Sequence, residues 1–410
     1  MTSILRRARN LLRSPAPPWK FPTAGFPILD NSLVVEEERE PLYSPTTFYP
    51  SKIGEVLNTR YQIVGELGYG GYSTVWLCRD LADHDYVVLK LCRSDAPSIK
   101  REIDIYRRLD NVRTKHAGAT LVRRMLDNFG LRNHGYHFPC IIHKPLGMSL
   151  AKFRSRVPGM KLPENILKLT LIHIFIGLEF LHTHAKIIHC DIQEKNILLG
   201  IENKSVLDDF AKHELEYPTP RKIDGARIVY ESRDLDNTTN PGRPVLTDFG
   251  EARIREGSHT GLIQPTQYRA PEVLLGLPWD HKVDIWNVGA MIWDLFEGRN
   301  MFNARNPKGE VSIEHQLAHI VALLGPPPVD LIQKGAIAQK YFNLDGSWKG
   351  TVKIPEDSLE ESERNLEGEN KALFLAFVRK MMKWKPEERS GAKELLADTW
   401  LRDGDQFADQ

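Results

Sequence analysis

The spacing of hydrophobic and polar residues changes along the chain, and its first half predicts β-strands. Alternation between residues 61 and 80 predicts two strands joined by a turn that holds Gly68, Gly70 and Gly71. Residues 86–92 predict a third strand, and residues 101–109 predict a helix. The apolar run that begins at residue 137 predicts one more strand, which leads into a Pro-Gly segment ending at residue 147.

Apolar helices dominate the second half. Residues 166–181 form an apolar stretch that four polar residues interrupt, which predicts a buried helix and not a membrane span. Residues 280–298 are apolar nearly all round, so a helix there should lie in a core. Short apolar runs at 187–188 and 197–199 bracket a polar loop. The polar stretch 200–244 is interpreted as an insertion, partly disordered and without chemistry of its own.

Composition changes this picture little. The 410 residues suffice for two or three compact units or for one large two-lobed domain. A net charge of +1, with 41% hydrophobic and 27% charged residues, gives no indication of nucleic acid or of a strongly charged partner. The four cysteines lie far apart without a C-x-x-C pair, which argues against a disulfide framework or a cysteine zinc site and favours a reducing compartment. We therefore expect a cytoplasmic or nuclear protein.

The N-terminal 47 residues are predicted to be an extended leader, basic and then acidic. Residues 1–14 combine four arginines with apolar residues at helical spacing, so a mitochondrial presequence and an unstructured arm both stay open. Residues 14–27 hold too many prolines for regular structure. The acidic cluster that follows is expected to be solvated, and it comprises Glu36, Glu37, Glu38 and Glu40.

Candidate chemistry centres on the polar loop, which reads I-I-H-C-D-I-Q-E-K-N-I-L-L from residue 187 to 199. It holds Asp191 and, five positions later, Asn196. Taken alone, such a short motif fits a turn with solvated polar residues equally well. Its neighbours favour a site: the glycine turn, a lysine at the end of a strand, and the sequences V-L-T-D-F-G and Q-Y-R-A-P-E further on.

In this order the motifs resemble those of the eukaryotic protein kinases over residues 61–401. The segments F-Y-P-S-K-I-G-E-V-L-N-T-R-Y, L-G-Y-G-G-Y-S-T-V-W-L and Q-Y-R-A-P-E-V-L-L-G are similar to the SR-protein kinases, in particular to fungal members. The resemblance implies an α+β, two-lobed fold with a β-rich N-lobe at 48–143 and a mostly helical C-lobe at 144–401. Within the C-lobe we expect the insertion 200–244 and a loop-rich insert at 307–370, and after it a tail at 402–410.

The resemblance also implies a serine/threonine kinase that uses ATP and Mg²⁺, and Arg269 before Ala270 fits the wider group that contains the cyclin-dependent kinases. Asp191 would orient the substrate hydroxyl and accept its proton, while Asn196 and Asp248 would hold Mg²⁺. Lys90, paired with Glu102, would orient the phosphates. The expected nucleotide contacts are Leu67, Gly68, Tyr69, Gly70, Gly71, Tyr72, Ser73, Thr74, Val75, Val88, Lys90, Glu102, Lys144, Leu146 and Leu198.

The same resemblance indicates roles for three further residues. Asp284 would fix the backbone of the catalytic loop, unless it only caps its helix. Arg389 would pair with Glu272. His143, beside the expected adenine pocket, could influence nucleotide selectivity or only fill a polar niche, and both interpretations stay open.

Departures from the family pattern sharpen the expectations. Ser73 stands where the third glycine is usual, and Cys190 stands where most kinases have an arginine that binds a phosphorylated activation segment. Activity without such phosphorylation is therefore expected, a property that phosphatase treatment would test. Gln193 replaces the lysine that touches the transferred phosphate. Lys195, at the position where tyrosine kinases carry an arginine, is predicted to take over that contact.

The resemblance implies a protein substrate, and its narrower form implies a basic Arg/Ser-rich one. We also expect a monomer that binds neither nucleic acid nor membrane. Two alternatives stay open: a pseudokinase that serves as a nucleotide- or protein-binding scaffold, and a small-molecule phosphotransferase. An acidic stretch could dock a basic peptide or simply be solvated. It comprises Glu356, Asp357, Glu360, Glu361, Glu363, Glu367 and Glu369.

Overall fold

The computed structural model describes residues 14–41, 43–225, 227–235, 241–335 and 337–403. The predicted presequence or arm before residue 14 and the tail after residue 403 lie outside these residues. In the described part the strands are β1 Val56–Leu57, β2 Tyr61–Gly70, β3 Ser73–Asp80, β4 Asp85–Cys92, β5 Met125–Asn133, β6 Tyr136–His143, β7 Ile187–Ile188, β8 Ile197–Ile201, β9 Arg221–Asp224, β10 Arg227–Tyr230, β11 Pro241–Leu246 and β12 Arg253–Ile254.

The α-helices of the same ranges are mostly in the second half. They are α1 Ile99–Asn111, α2 Leu150–Ser155, α3 Glu164–Glu179, α4 Ser205–Glu216, α5 Pro271–Leu274, α6 Lys282–Glu297, α7 Ile313–Leu324, α8 Val329–Gln333, α9 Ala338–Tyr341, α10 Leu359–Ser362, α11 Gly368–Met381, α12 Ala392–Leu395 and α13 Thr399–Arg402. A π-helical turn, Phe180–Ala185, continues α3. The predicted α+β class, β-rich and then helical, is confirmed.

The chain divides into two compact units. The first comprises residues 1–110, 123–148 and 200–242, and the second comprises 111–122, 149–199 and 243–410. These boundaries differ from the expected lobes, because 111–122 belongs with the helical unit and the predicted insertion belongs with the sheet. The predicted loop-rich insert at 307–370 lies in the second unit and contains helix α7 and the short helices α8 to α10.

One antiparallel sheet builds the first unit, with the strand order β1-β2-β3-β4-β6-β5. Successive residues of a strand point to opposite faces, so each face receives its own buried set. Ile63 and Cys78 belong to the cluster on one face. Val64 and Leu77, their neighbours in sequence, belong to the cluster on the other face, which also contains residues of α4. Both faces of the sheet are therefore covered.

The insertion is ordered over most of its length, contrary to expectation. Helix α4 packs on β2 so closely that a Cβ at Gly65 would lie 2.8 Å from the Phe210 ring. Strands β9 and β10 pair as an antiparallel hairpin. Apolar residues recur on one face of α4 among many polar ones. That face packs against the sheet. The insertion is therefore ordered although its composition is polar on average.

The described residues of the leader also belong to the first unit. The backbone of Trp19 exchanges hydrogen bonds with the Gln62 side chain at 2.9 and 2.7 Å. Glu37 is 3% exposed and forms a buried ion pair with Arg227, and Glu38 binds Lys222 at 2.9 Å. The expectation of a solvated acidic cluster is wrong for these two glutamates. Their partners lie about 190 residues away in the chain, so the sequence around the glutamates does not indicate the pairing.

Helices α3 and α6 form the core of the second unit, as predicted. Every residue of α6 from Val283 to Glu297 is buried. The segment Glu164–Ala185 is long and apolar enough to cross a membrane, but 56% of its apolar window is buried inside the protein. Since α3 also contacts α6 and α12, this segment is a core helix of the unit.

Candidate active site

In the first unit, the glycine turn (residues 68–73) joins β2 to β3. A Cβ at Gly68 or Gly70 would meet no atom within 4 Å, so the backbone there is open on one side. Arg93 fixes the turn by donating to Gly71 O at 2.9 Å, and its guanidinium is held in turn by Asp95 at 2.8 and 2.9 Å. Arg93 was not predicted, because no motif marks it and its partners become neighbours only in the hairpin.

The predicted Lys90–Glu102 pair is confirmed. Lys90 lies on β4 opposite Val75, and its Nζ donates to both carboxylate oxygens of Glu102 at 2.9 Å. Glu102 is buried on α1, where an unpaired carboxylate would be costly. The pair therefore fixes the direction of the ammonium group. Its contact with phosphate stays a prediction.

The expected adenine positions are distributed over both units. Val88 is buried on β4 and pairs with His143, while Lys144 and Leu146 follow β6 in the first unit. Leu198 lies on β8 in the second unit. The other expected nucleotide contacts, residues 67–75, line the glycine turn and its two strands.

His143 fills a polar niche within the first unit. Its ring is buried, lies against Tyr106 and shares a 2.9 Å hydrogen bond between Nδ1 and Arg124 O. Burial, followed by the nearby Arg123 charge, lowers the pKa of His143 well below its usual value. A neutral ring satisfied by protein atoms supports the niche interpretation.

In the second unit, the Asp191 loop (residues 189–196) holds its carboxylate between two amides. Gln193 Nε2 donates to one oxygen of Asp191 at 2.9 Å, and Asn196 Nδ2 donates to the other at 2.6 Å. Asn196 Nδ2 also lies 3.0 Å from the Asp191 carbonyl oxygen. Gln193, a departure from the family pattern, thus positions the carboxylate.

Asp284 anchors the backbone of the loop, as predicted. Its two oxygens accept the amide hydrogens of His189 and Cys190, each at 2.8 Å. A third donor, Nε2 of His182, lies 2.8 Å away and was missed, since the sequence L-H-T-H gave no signal. The interpretation as a helix cap is wrong, because His281 occupies the N-cap position of α6.

Hydrogen bonds join the Asp191 loop to the segment that carries Asp248. His189 Nδ1 accepts from the Asp191 amide, so Nε2 carries the proton and donates to Thr247 O at 3.0 Å. Thr247 also donates twice to Asn196 O, at 2.9 Å each. Asp248 has a φ of 62° and Cys190 a φ of 66°, values that side-chain residues rarely adopt. The three predicted residues Asp191, Asn196 and Asp248 are therefore brought together.

Burial raises the pKa of Asp191 to about 7. The hydrogen bond from Gln193 opposes the rise, the Asp248 carboxylate adds to it, and Asn196 and Glu251 make smaller contributions in the two directions. A carboxyl group with a pKa near neutrality is suited to exchange a proton with a substrate.

The donor set of this cluster fits a magnesium ion. Mg²⁺ prefers oxygen ligands, commonly one or two carboxylates together with phosphates and water. Asp248 supplies a carboxylate, and Asn196 supplies a carboxamide whose nitrogen is committed to Asp191, so its oxygen is the atom left for a cation. The residues present could thus hold the metal.

Lys195, the predicted phosphate contact, is exposed beside a fixed ion pair. Its neighbour Glu194 binds Arg154 in a bidentate pair at 2.7 and 2.8 Å. Lys195 itself forms no ion pair within the described residues. Its ammonium group is consequently available to an external anion.

In the segment after Asp248, Gln264 forms three hydrogen bonds to uncharged partners. Gln264 is buried, donates to Val283 O at 2.8 Å and accepts from the Ala270 amide at 2.8 Å, and its own amide reaches Cys190 O at 3.1 Å. Cys190 is fully buried, in agreement with an inert thiol. Gln264 was missed because a single glutamine carries no motif.

Three further ion pairs lie in the second unit. The predicted Glu272–Arg389 pair is bidentate at 2.7 and 2.6 Å and lies in the core. In the acidic stretch, Glu363 is buried and binds Lys371, while Glu360 pairs with Arg379. A solvated loop is therefore the wrong description for Glu363, and part of the acidic charge is already neutralised within the protein.

Comparison with known proteins gives consistent matches. The sequence profile described as "Protein kinase domain" matches residues 61–219 and 235–401, and the gap between them contains β9 and β10. A serine/threonine protein kinase of Aspergillus fumigatus is 43% identical over 404 residues, covering 98% of this chain and 99% of its own. The serine/threonine-protein kinase SRPK of Physarum polycephalum is 29% identical, covering 91% and 93%.

More distant matches agree. SRSF protein kinase 3 of Sus scrofa is 24% identical, covering 89% of this chain and 90% of its own. A crystal structure of a kinase domain aligns with a TM-score of 0.67 at 22% identity, covering 87% of this chain and 99% of that one. At that identity the structural match supports the fold alone.

Replacement of Asp191 by Asn should remove a pH-dependent cost to stability. The folded carboxyl has a pKa of about 7 and the unfolded one about 3.8, so ionisation disfavours the folded state. This free-energy cost is absent when the pH is below the unfolded pKa. It grows as the pH rises between the two pKa values, and it reaches its full size above the folded pKa. When the pH rises from about 4.5 to about 8, the difference in free energy of unfolding between the variant and wild type should increase by about 2–4 kcal/mol in favour of the variant. Urea denaturation without divalent ions measures it.

The matched control is Asp209→Asn, on the exposed face of α4. It removes the same charge at an exposed position, so it measures the effect of the charge change alone. If the difference between Asp191→Asn and wild type stayed constant from acid to neutral pH, the Asp191 carboxylate would not be desolvated in the folded protein.

Proposed function

The chain belongs to the protein kinase family and is a serine/threonine protein kinase, and from that premise we propose that it transfers the γ-phosphoryl group of Mg-ATP to serines of basic, Arg/Ser-rich proteins. The observation that carries the proposal is the Asp191 loop, whose carboxylate is held by the side-chain amides of Gln193 and Asn196 and lies near Asp248. Such an arrangement serves to receive a hydroxyl proton beside a bound cation.

Phosphoryl transfer is catalysed mainly by positioning and by neutralising charge. Asp191 orients the substrate hydroxyl and accepts its proton, which its raised pKa favours. Lys90, directed by Glu102, binds the phosphates. Asp248 and Asn196 are the oxygen donors for Mg²⁺, which when bound offsets the negative charge of the phosphates.

Lys195 takes the place of the lysine that Gln193 replaces. Gln193 carries no charge, and its amide group is engaged with Asp191. Lys195, two positions later on the same loop, is exposed, and the paired Glu194 leaves its charge uncompensated. This makes Lys195 the cation of the loop that can reach a transferred phosphate.

The proposed substrate class rests on the names of two relatives and on two exposed glutamates in the acidic stretch. Two of the relatives carry the names SRPK and SRSF protein kinase 3. In the acidic stretch, Glu367 and Glu369 are exposed near the start of α11, beyond the acids that pair internally. We propose these two for the contact with a basic peptide, since exposed acids attract arginine-rich segments at low salt.

Purified protein with Mg-ATP should phosphorylate an Arg/Ser-rich peptide, and Asp191→Ala should lose turnover by about three orders of magnitude or more, as expected for removal of a positioned proton acceptor and its orienting hydrogen bonds. Radiolabel transfer measures this. A peptide with each arginine replaced by glutamine is the matched substrate control and should be a poor substrate.

Three outcomes would separate the alternatives. Nucleotide binding without transfer by wild type would indicate a pseudokinase. Equal transfer to both peptides would support protein kinase activity but contradict the proposed specificity for Arg/Ser-rich substrates. Turnover that survived Asp191→Ala would reject the assigned proton acceptor.

Lys195→Ala should lower kcat by about 10 to 150-fold, the equivalent of one charge-assisted hydrogen bond worth about 1.5–3 kcal/mol. Adding Gln193→Lys to that variant should restore part of the loss, because it returns a cation to the usual position. Lys212→Ala, an exposed lysine of α4, is the control and should leave kcat unchanged. Unaltered turnover in Lys195→Ala would show that this lysine does not touch the phosphate.

A further inference from the structure

Three side chains with metal-binding chemistry meet in the second unit, and none of them has a role in the proposed reaction. They are His116, Glu179 and His184, and the ligand atoms that they offer all lie within 4.8 Å of one another. Two imidazoles and one carboxylate are a common ligand set for zinc, with a fourth position left to water. The cluster therefore has the composition of a metal site.

The fold brings the cluster together through a close approach at Gly118. His116 caps the 3₁₀ turn Ala117–Thr120, which packs on the end of α3. A Cβ at Gly118 would lie 2.2 Å from Ile176 O and 2.6 Å from Phe180 Cβ, so only glycine permits this contact. The contact places Nε2 of His116 next to a carboxylate oxygen of Glu179.

The π-helical turn supplies the third ligand. Glu179 ends α3, and His184 follows five positions later within Phe180–Ala185. In a continued α-helix, residues five apart would point about 140° away from each other, whereas the wider π turn brings them closer to one face. The rings of His116 and His184 lie with centroids 4.8 Å apart. Such π turns are rare and occur often at functional sites.

Hydrogen bonds orient two of the ligands. Thr183 Oγ1 donates to Glu179 Oε1 at 3.0 Å, which directs the other carboxylate oxygen toward His116. His116 Nδ1 accepts from the Gly118 amide at 3.1 Å, so the ring proton is on Nε2. A metal at Nε2 displaces this proton to Nδ1 and gives up the Gly118 bond. Its affinity should therefore be moderate, and protons should compete with it in acid.

We propose that His116, Glu179 and His184 bind one Zn²⁺ ion. His184 is exposed, so its ring is free to move onto the ion and a water molecule can complete the coordination. The ion would tie the 3₁₀ turn to the π-helical turn. His182, on the same π-helical turn, binds Asp284, and the Asp191 loop follows within a few residues. Zinc would thus stabilise the segment that leads into the catalytic loop.

The test uses the full chain, stripped of metal with a chelator and dialysed against Zn²⁺ in an excess of Mg²⁺, which occupies the oxygen donors of the active site. Wild type should bind one Zn²⁺ per chain, and His184→Ala should bind it at least about tenfold more weakly, as for other losses of metal-site residues. Co²⁺ in place of Zn²⁺ should give the visible absorption of a tetrahedral site in wild type but not in His184→Ala.

The matched control is His137→Ala, which removes an exposed imidazole from β6 in the first unit and should bind Zn²⁺ as wild type does. Glu179→Gln, which keeps the shape and removes the charge, should weaken binding as His184→Ala does. Equal zinc affinity of wild type and His184→Ala would overturn the proposal, as would a wild-type chain that takes up no zinc at micromolar concentration. These readouts do not depend on kinase activity.

Discussion

The Asp284 carboxylate is the interaction on which the arrangement of the catalytic loop depends. It is fully buried on α6, where an unsatisfied charge would be very costly. Two backbone amides and the His182 ring donate to it. Burial by itself opposes ionisation, but these donors outweigh it and keep the pKa of Asp284 below its usual value. The charge is thus stable only if the loop backbone turns toward it.

That constraint determines the rest of the second-unit site. With its amide directed at Asp284, Cys190 adopts a positive φ, and Asp191 follows with its side chain between Gln193 and Asn196. His189 and Asn196 then bind Thr247, which brings Asp248 alongside. The strained backbone at Cys190 and Asp248 is maintained by these bonds, as is common where a structure positions groups for chemistry. These bonds thus fix the position of the Asp191 carboxylate.

The sequence was sufficient to predict those parts whose partners lie within a motif or at a characteristic spacing. Lys90 with Glu102, Glu272 with Arg389, and Asp284 with the loop were all predicted, because the resemblance to the protein kinases implies each of these partners. Helix α6 was predicted because hydrophobic residues surround it on every side.

Three of the errors share one physical cause, which is a contact between separate parts of the chain that no motif links. Glu37 looks like a solvated acid until Arg227 is placed beside it, and Arg93 looks like a surface cation until the glycine turn folds over it. Helix α4 was interpreted as part of a disordered insertion, because its apolar face is diluted by charges and becomes meaningful only against β2. From the sequence, Gln193 indicated only the loss of a lysine contact to phosphate, whereas in the structure it donates a hydrogen bond to Asp191.

The most direct test of this account is the exchange of backbone amide hydrogens in Asp284→Asn, measured together with kcat. An asparagine can accept from one side but presents an NH₂ group to the other, so at least one loop amide loses a charge-assisted bond worth about 1.5–3 kcal/mol. We predict faster exchange confined to the peptide that contains His189 and Cys190, with kcat lower by at least about tenfold and α6 still protected. Unchanged exchange and unchanged kcat would contradict the claim that Asp284 holds the catalytic loop in place.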